Sequence, residues 1–327
     1  MSLVIEFDQF GGPEVLHATD IPTTDPQEGE VRVRLEAFAV NALDVMMRSG
    51  RSPAPVPLPH AHLGIEGTGI IDATGPGASR FAVGDAVIIA ALPNPAAHGS
   101  YAEHITVPLG SVIPRPAGLS VVEAAASWVA YSTAYGALVE RAGLSDGDAL
   151  LIAGASSSVG RAALQLARRL GAAPLAITRD ATKTAELLAA GADRVILAAG
   201  DDLAETVRQS TDGRGADITL DLVRGPGQGA LLDATRTGGT LVAAGFLDPR
   251  PTPAPADDRV AVVNYRSFDD VLNPVVLQRM SDYLAPALAD GSLRPSIDTV
   301  FTVDQVIDAH RRFEQGLHAG RKIVVTV

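Results

Sequence analysis

The 327-residue chain contains no cysteine. This absence excludes disulfides, thiolate nucleophiles, iron–sulfur clusters and zinc sites built on sulfur. Aromatic residues are also scarce, at 4% of the sequence, whereas hydrophobic residues as a whole make up 46% and charged residues 20%. Such a composition is typical of a globular protein whose core consists mainly of aliphatic side chains.

Positive charge is in short supply as well, because 26 lysines and arginines face 38 aspartates and glutamates, which gives a formal net charge of −12. A surface this acidic repels phosphate backbones, so we expect no nucleic-acid partner. No stretch approaches the ~18 uninterrupted apolar residues that a membrane span requires, so we expect no membrane segment. The first residues, Met1 to Glu6, lack the basic start and apolar run of a targeting segment, and a cytoplasmic location is therefore expected.

The hydrophobic pattern of the chain changes near Ser120. Before it, short segments such as residues 31–38 alternate apolar and polar side chains, which predicts half-buried strands in a β-rich, barrel-like domain. Ser120 and Glu123 form a capping box that predicts the start of a long alanine-rich helix. Strand and helix patterns then alternate over residues 149–245. This alternation predicts an α/β domain with a doubly wound parallel sheet.

The strongest local signal is the sequence LLIAGASSSVG at residues 150–160. It lies between a short apolar strand and an amphipathic helix, as a dinucleotide fingerprint requires. Small residues let the backbone approach a pyrophosphate, and the amides that open the helix supply donors and the positive end of its dipole. Ser157 replaces the central glycine of the fingerprint, and its hydroxyl is a candidate phosphate donor. The predicted cofactor contacts are Gly154, Ser157, Ser158, Val159 and Gly160. The alternative interpretation is that these residues form an ordinary turn before a helix and bind no cofactor.

The choice between NADP and NAD depends on the end of the second strand of this domain. The strand ends at Thr178 and Arg179, and Lys183 follows one helical turn later. Cationic side chains at this place accommodate the 2′-phosphate of NADP, whereas an acidic one binds the ribose hydroxyl of NAD. Asp180 becomes that ribose ligand if the register slips, or it caps a solvated helix start. We predict NADPH as the cofactor.

The order of these elements resembles the medium-chain dehydrogenase/reductase superfamily. Similar motifs occur in order at residues 63–69, 73–77, 83–87, 99–103, 131–135, 238–241 and 322–325. The resemblance implies a GroES-like domain formed by residues 1–121 and 267–327. It also implies a Rossmann dinucleotide-binding domain formed by residues 122–266.

Within the superfamily, the chain resembles the zinc-independent quinone oxidoreductase branch. Zinc-dependent members place a cysteine near Asn41 and a histidine at the position of Ile65, so the resemblance implies no catalytic metal. His60 and His62 lack a third ligand in the sequence pattern and are interpreted as loop residues. His310 lies on the apolar face of a predicted helix and is interpreted as a core residue.

The resemblance implies hydride transfer from NADPH to a quinone or an α,β-unsaturated carbonyl, that is, to a small electron-poor substrate. A dedicated enoyl or keto reductase of a biosynthetic pathway and a non-catalytic, NADPH-binding redox sensor are the alternatives. Relatives pair the edge strands of their nucleotide domains. The β-rich residues 259–265 suit such an edge, so we expect a homodimer.

Asn41 is the first candidate for catalysis, because its amide can donate to a substrate oxygen or to the nicotinamide ribose. Asp44, three residues later, can join this network; helix capping by Asn41 and a solvated Asp44 are the alternatives. Relatives often have a tyrosine two residues after this aspartate, where this chain has Met46. Tyr131 is therefore a candidate replacement proton donor, or simply a packed aromatic residue. The predicted pocket residues are Met46, Met47, Ile65 and Trp128.

Five further cofactor contacts follow from the resemblance. Thr133 and Lys322 correspond to positions close to the cofactor in relatives. Gly245, Phe246 and Leu247 follow the last strand of the nucleotide domain, and we expect them at the carboxyl edge of the sheet, where ligands bind.

Overall fold

The computed structural model describes residues 1–198, 202–255 and 258–327. The chain forms two compact units. The first consists of Met1–Val129 and Val271–Val327, and the second of Ala130–Asp270. The predicted domain limits at 121/122 and 266/267 differ from these borders by a few residues and stay predictions.

In chain order, the strands are β1 (Ser2–Phe7), β2 (His17–Ile21), β3 (Glu30–Val40), β4 (Ala61–His62), β5 (Gly67–Thr74), β6 (Ala86–Ile89), β7 (His104–Pro108), β8 (Val112–Pro114), β9 (Ala149–Ala153), β10 (Ala173–Thr178), β11 (Arg194–Leu197), β12 (Ala216–Asp221), β13 (Thr235–Ala243), β14 (Ala261–Asn264), β15 (Ile297–Thr302) and β16 (Lys322–Thr326).

The α-helices are α1 (Ala42–Arg48), α2 (Val121–Ala125), α3 (Trp128–Tyr135), α4 (Ser158–Arg169), α5 (Thr184–Ala189), α6 (Leu203–Gln209), α7 (Gln228–Ala234), α8 (Ser267–Val271), α9 (Pro274–Ala289) and α10 (Val306–Glu314). A π-helical segment, Gly136–Arg141, continues α3. Short 3-10 segments occur at Pro13–Val15, Leu109–Ser111, Ala181–Lys183, Gly225–Gly227 and Val303–Gln305. None of the described helices is long and apolar enough to cross a membrane.

The first unit is built around β3. Its larger sheet has the order β15-β16-β3-β5-β6-β8, and β7 also pairs with β3. The smaller sheet has the order β2-β1-β4. Apolar side chains from β3 enter two cores: Val31 and Val33 pack in one, and Phe38 and Val40 in the other. A single long strand with apolar side chains on both faces therefore joins the two cores.

The second unit contains a six-stranded sheet with the order β11-β10-β9-β12-β13-β14, in which all neighbouring strands are parallel. The chain runs outward from β9 to β11 on one side and then returns to β12 on the other. Strand order thus reverses next to β9, where nucleotide-binding sheets form their ligand crevice. This arrangement confirms the predicted doubly wound parallel sheet.

The helix expected after Ser120 differs from the prediction. The capping box is present, because Glu123 N donates to Ser120 Oγ at 3.2 Å and Ser120 N donates to Glu123 Oε2 at 3.0 Å. However, α2 ends at Ala125, and α3 begins only at Trp128. Ser127 lies between them and donates its hydroxyl to Ala124 O at 3.0 Å. Such a local side-chain bond competes with a continuous helical ladder, so the predicted long helix is wrong.

Candidate active site

The turn between β9 and α4 in the second unit requires two of its glycines. Gly154 has φ +77°, a conformation that favours glycine. A Cβ atom on Gly160 would lie 2.5 Å from Gly154 O and 2.7 Å from Ala155 Cα. The helix can therefore start this close to the strand only because position 160 has no side chain.

Ser157 shapes this turn from within. Its Oγ donates to Gly154 O at 2.8 Å and accepts from Gly160 N at 3.1 Å. The hydroxyl proton is thus used inside the loop, and the expected donation from Ser157 to a phosphate is not supported. The amides of Ser158 and Val159 open the 12-residue helix α4 and have no acceptor within it. These backbone donors and the helix dipole make the turn suited to an anion.

The end of β10 carries two cations and one acid. Asp180 Oδ1 accepts from Thr182 N at 2.9 Å and from Thr182 Oγ1 at 2.6 Å, and these bonds lower the pKa of Asp180. Asp180 therefore caps the following 3-10 segment, as one of the sequence alternatives states. Thr178 is buried and accepts the amide of Asp180, whereas Arg179 is exposed and Lys183 half-buried. The Arg179 guanidinium thus lies on the surface. The carboxylate of the neighbouring Asp180 already accepts two hydrogen bonds from Thr182.

Two exposed apolar side chains border residues 154–160, the turn between β9 and α4, which we call the phosphate turn. Phe246 and Leu247 are 49% and 54% exposed. Leu247 Cδ1 lies 3.6 Å from where a Cβ atom on Gly154 would be. Gly245 leads into this segment so close to Leu222 that a Cβ atom would lie 1.8 Å from the Leu222 carbonyl oxygen. Large apolar groups next to an anion site are candidates for packing against a ring of the ligand.

In the first unit, Asn41 holds together a buried ion pair. Lys322 and Glu66 are 3% and 0% exposed, and Lys322 Nζ pairs with Glu66 Oε1. Lys322 Nζ also donates to Asn41 Oδ1 at 2.7 Å, and Asn41 Nδ2 donates to Glu66 Oε1 at 3.0 Å. Glu66 Oε2 accepts from Val129 N at 2.9 Å. Each of the three side chains, Lys322, Glu66 and Asn41, thus forms an ion pair or a hydrogen bond with the other two.

This geometry changes the expectation for Asn41. The second hydrogen of its side-chain amide is donated to Ala39 O at 3.1 Å, so both amide hydrogens have protein acceptors. Donation from Asn41 to a substrate or a ribose would require one of these bonds to break. The structure supports a positioning role, in which Asn41 fixes Lys322 and Glu66.

Asp44 is completely buried one helical turn after Asn41. Its Oδ2 accepts from Asn41 N at 2.7 Å and from Tyr101 Oη at 3.3 Å, and its Oδ1 accepts from Gly64 N at 3.0 Å. Burial raises the pKa of Asp44 to about 7, although the two backbone hydrogen bonds oppose this shift. Asp44 is therefore part of the Asn41 network, and the alternative of a solvated aspartate is wrong.

The network continues through Tyr101 to His310. Tyr101 Oη lies 3.2 Å from His310 Nε2, and both side chains are fully buried. Burial, together with the charge of Arg48, lowers the pKa of His310 to about 3, so the imidazole is neutral near neutral pH. Arg48 is itself buried, and its Nη2 lies 2.8 Å from Glu314 Oε1. His310 is thus a core histidine, as predicted from its helical face.

The remaining candidates on α3 are buried, and two of them donate to other protein groups. Tyr131, in the second unit, is 1% exposed and donates its hydroxyl to Gln165 Oε1 at 2.8 Å. Trp128, in the first unit, is 1% exposed and donates its indole N–H to Ala90 O at 2.8 Å. Thr133 is buried at 8% exposure. The structure thus favours the packed-aromatic interpretation of Tyr131 over a proton donor.

The apolar pocket candidates separate into two kinds. Met47 is 3% exposed and packs in the core with Phe7 and Ile323, so its expected place in a pocket is not supported. Met46 and Ile65 are half-buried. These two side chains remain candidates for contact with a ligand.

Sequence reasoning did not identify three members of the buried network. Glu66 interrupts a stretch of glycine and apolar residues, Arg48 follows Asp44 by one helical turn, and Tyr101 lies in a loop before β7. A charged residue inside a glycine-rich apolar stretch was the signal that could have pointed to Glu66. The partners of all three lie far away in the sequence, so no local pattern reveals them.

Comparison with known proteins identifies the family. One family model, the alcohol dehydrogenase GroES-like domain, matches residues 27–117, and a second, the zinc-binding dehydrogenase, matches residues 190–325. Quinone oxidoreductase 1 of Escherichia coli is 33% identical over 245 residues, which cover 75% of this chain and 73% of that protein. The chain belongs to the medium-chain dehydrogenase/reductase superfamily. Within it, the chain is similar to quinone oxidoreductases.

Much longer proteins contain a similar segment. The mycocerosic acid synthase-like polyketide synthase of Mycolicibacterium smegmatis is 32% identical over 311 residues, which cover 91% of this chain and 14% of that protein. The mycoketide-CoA synthase of Mycobacterium tuberculosis is 33% identical over 322 residues, 95% of this chain and 7% of that protein. The chain therefore spans a small part of the length of these relatives.

Solved structures confirm the predicted fold. A mycobacterial protein in complex with NADPH is 26% identical, with a TM-score of 0.85 and full coverage of both chains. An NAD-dependent alcohol dehydrogenase is 30% identical, also with a TM-score of 0.85 and full coverage of both chains. The chain thus has the fold of this superfamily, with a GroES-like domain and a Rossmann-like parallel-sheet domain.

Proposed function

We propose that the protein transfers hydride from NADPH to a quinone or an α,β-unsaturated carbonyl and uses no catalytic metal. The observation that carries this proposal is the Lys322–Glu66–Asn41 cluster. Asn41 in this cluster stands at the position where zinc-dependent members have a cysteine, and Glu66 follows the position where they have a histidine. The phosphate turn of the second unit and the apolar surface at Ile65 support the proposal as well.

The second unit has residues that fit a phosphorylated dinucleotide. The amides of Ser158 and Val159 suit the pyrophosphate, because they are the first amides of α4 and have no acceptor within the helix. Arg179 and Lys183 suit a 2′-phosphate, since both are cationic and Asp180 is occupied by its cap. The mycobacterial relative solved with NADPH agrees with this choice. When it is bound, the nicotinamide supplies the hydride.

The first unit offers poor ligands for a catalytic zinc ion. The two positions that hold a cysteine and a histidine in zinc-dependent members are Asn41 and Ile65 in this chain. The side-chain oxygen of Asn41 already accepts from the ammonium of Lys322. A dication at this place would meet the fixed positive charge of Lys322, and the Glu66 carboxylate is already paired with that charge. Buried charge pairing thus replaces metal ligation here.

Asn41 and Asp44 act as positioning residues in this proposal. Asp44 holds the amide of Gly64, and Lys322 and Asn41 hold the carboxylate of Glu66. Ile65 lies between these two anchored residues, so its half-buried side chain forms a fixed apolar surface for an acceptor. Quinones and enones need orientation and exclusion of water more than acid catalysis, and the final proton can come from solvent.

A dedicated enoyl reductase of a biosynthetic pathway is the second candidate. The observation that favours it is the 32–33% identity to segments of two polyketide synthases. The absence of a tyrosine at Met46, where relatives often have one, agrees with a non-standard acceptor. The two candidates differ in the acceptor, because an enoyl reductase acts on an enoyl thioester.

Steady-state turnover tests the proposal. We expect NADPH oxidation with 1,4-quinones or simple enones, at a rate that a chelator does not change. Preference for an enoyl thioester over every quinone would establish the second candidate. Tight NADPH binding without turnover on quinones, enones, ketones or thioesters would contradict both and favour a redox sensor.

We further propose a homodimer formed through the second unit. The strand β14, Ala261–Asn264, is an edge of the parallel sheet and pairs only with β13 among the described strands. Its two valines, Val262 and Val263, are half-buried and have no charge to prevent pairing with a second copy. Light scattering after size exclusion tests this, and a monomer would contradict it.

A further inference from the structure

Two histidines and two carboxylates meet at the smaller sheet of the first unit. Glu6 lies in β1, Asp8 directly follows that strand, and His17 begins β2. The register of the β1–β2 pair places Glu6 opposite His17. His60 comes immediately before β4, the other neighbour of β1. Three separate segments thus bring together four side chains that can bind a metal.

The distances from Glu6 to the two histidines suit a bound metal ion. Glu6 Oε1 lies 3.1 Å from His60 Nδ1 and 3.4 Å from His17 Nε2. Asp8 Oδ1 lies 3.4 Å from His60 Nδ1, and Asp8 Oδ2 lies 3.6 Å from His17 Nε2. A tetrahedral zinc ion with bonds of 2.0–2.1 Å separates its ligand atoms by about 3.3 Å. One ligand atom each from Glu6, Asp8 and His60 already lies within 4.8 Å of the others.

Neighbouring groups fix both carboxylates. Only 4% of the Glu6 side chain is exposed, and its Oε1 accepts from Thr19 Oγ1 at 2.7 Å. Asp8 Oδ1 accepts from the backbone amide of His60 at 2.9 Å. Such outer hydrogen bonds orient ligands before a metal arrives. His17 and His60 are 42% and 68% exposed, which leaves the cluster open to an ion from solvent.

We propose that Glu6, Asp8 and His60 bind one divalent transition-metal ion of the Zn²⁺ type, and that the exposed His17 ring turns toward the ion as the fourth ligand. Two imidazoles and two carboxylates match the ligand preference of zinc, and the two negative charges balance those of the ion. The ion would join β1, β2 and the segment before β4. This role is structural and separate from the hydride transfer proposed above. The sequence showed only His60 and His62 and no third ligand, because the carboxylates come from a segment more than fifty residues away.

Direct binding of Zn²⁺ to the chelator-treated full chain tests the proposal. Calorimetry should show one tight site per chain, and Co²⁺ should give the visible absorption of a tetrahedral ion. Added Zn²⁺ should raise the thermal unfolding temperature, because it binds the folded chain. His17→Ala and His60→Ala should each weaken binding about 100-fold or more, and turnover with NADPH should not change. Asp8→Asn, at an exposed position, gives a milder variant in case the alanine variants unfold.

Two other histidines serve as controls. His104 faces a single carboxylate, Asp72, at 3.4 Å, and His104→Ala should leave Zn²⁺ affinity unchanged. His98 is a second control, because it interacts with His62, a neighbour of the site that is not among the proposed ligands. His98→Ala should also leave Zn²⁺ affinity unchanged. The proposal is overturned if the folded wild-type chain binds no Zn²⁺. It is equally overturned if His98→Ala removes the site while His17→Ala and His60→Ala retain it.

Discussion

The phosphate turn of the second unit and the buried Lys322–Glu66–Asn41 cluster of the first consist of different chemical groups. The turn consists of backbone amides, two required glycines and a capping serine, all within residues 154–160. The cluster consists of charged and polar side chains, and its Lys322–Asn41 bond spans 281 residues. The turn offers unpaired donors to a ligand, whereas the cluster satisfies its charges internally. Binding function and stability are therefore expected to respond to different substitutions.

Lys322→Met should cause the largest effect and should act on stability. It leaves the Glu66 carboxylate buried without its cation, which costs about 3–5 kcal/mol. Urea unfolding followed by the fluorescence of Trp128 measures this, because Trp128 is the single tryptophan and lies buried in the first unit.

The double variant Lys322→Met with Glu66→Gln is the control for this prediction. It removes both charges and keeps one side-chain oxygen, which can accept from Val129 N or from Asn41 Nδ2 but not at both positions. We expect it to recover part of the lost stability, because the unpaired buried charge is gone and one hydrogen bond is still lost. A double variant as unstable as Lys322→Met alone would contradict the assignment of the loss to an unpaired charge.

Gly160→Ala should weaken binding with little effect on the first unit. The added Cβ atom meets Gly154 O at 2.5 Å, and relief of such overpacking costs about 1–3 kcal/mol. We expect about 10- to 100-fold weaker NADPH binding in a fluorescence titration. The matched control is Gly229→Ala, where a Cβ atom has no neighbour within 4 Å. Equal losses of NADPH affinity in both variants would contradict this prediction. A lower urea midpoint of Trp128 fluorescence in Gly160→Ala would also contradict it, because the substitution would then affect the first unit.

The same difference explains what the sequence could predict. The parallel sheet, the glycine turn and the capping role of Ser120 follow from local patterns, and the structure contains all three. Asn41 and Asp44 stood out as polar residues at the start of a helix, but their partners Glu66 and Tyr101 did not. Those partners lie 25 and 57 residues away in the sequence. The sequence therefore predicted that Asn41 and Asp44 interact with a ligand. In the structure, both form hydrogen bonds to other protein groups.

The buried network that contains Asp44 and His310 also predicts that stability depends on pH. Burial raises the pKa of Asp44 from 3.8 to about 7, so between these values the folded chain binds more protons at this group than the unfolded chain does. Its contribution to stability is therefore present at low pH and is lost as the pH rises toward 7. His310 has the opposite sign, because its pKa is lowered to about 3 and its contribution grows with pH above that value.

Asp44→Asn separates these two contributions. It removes the carboxyl but not His310, so its unfolding free energy should fall less, or rise more, between about pH 4 and about pH 7 than that of the wild type. The difference in slope is at most about 1.4 kcal/mol per pH unit. Urea unfolding followed by Trp128 fluorescence at several pH values measures it. Parallel curves for the two proteins would show that Asp44 does not titrate in this range.

Titration of the pure protein with NADPH and NADH tests most directly whether Arg179, rather than Asp180, determines the cofactor. We expect the wild type to bind NADPH more tightly than NADH. Arg179→Glu should lose about tenfold or more of NADPH affinity and little NADH affinity. Asp180→Asn, the control, should leave NADH binding unchanged, because that carboxylate caps Thr182. Tighter binding of NADH by the wild type, or an equal loss of both cofactors in Arg179→Glu, would contradict the assignment of the 2′-phosphate to Arg179.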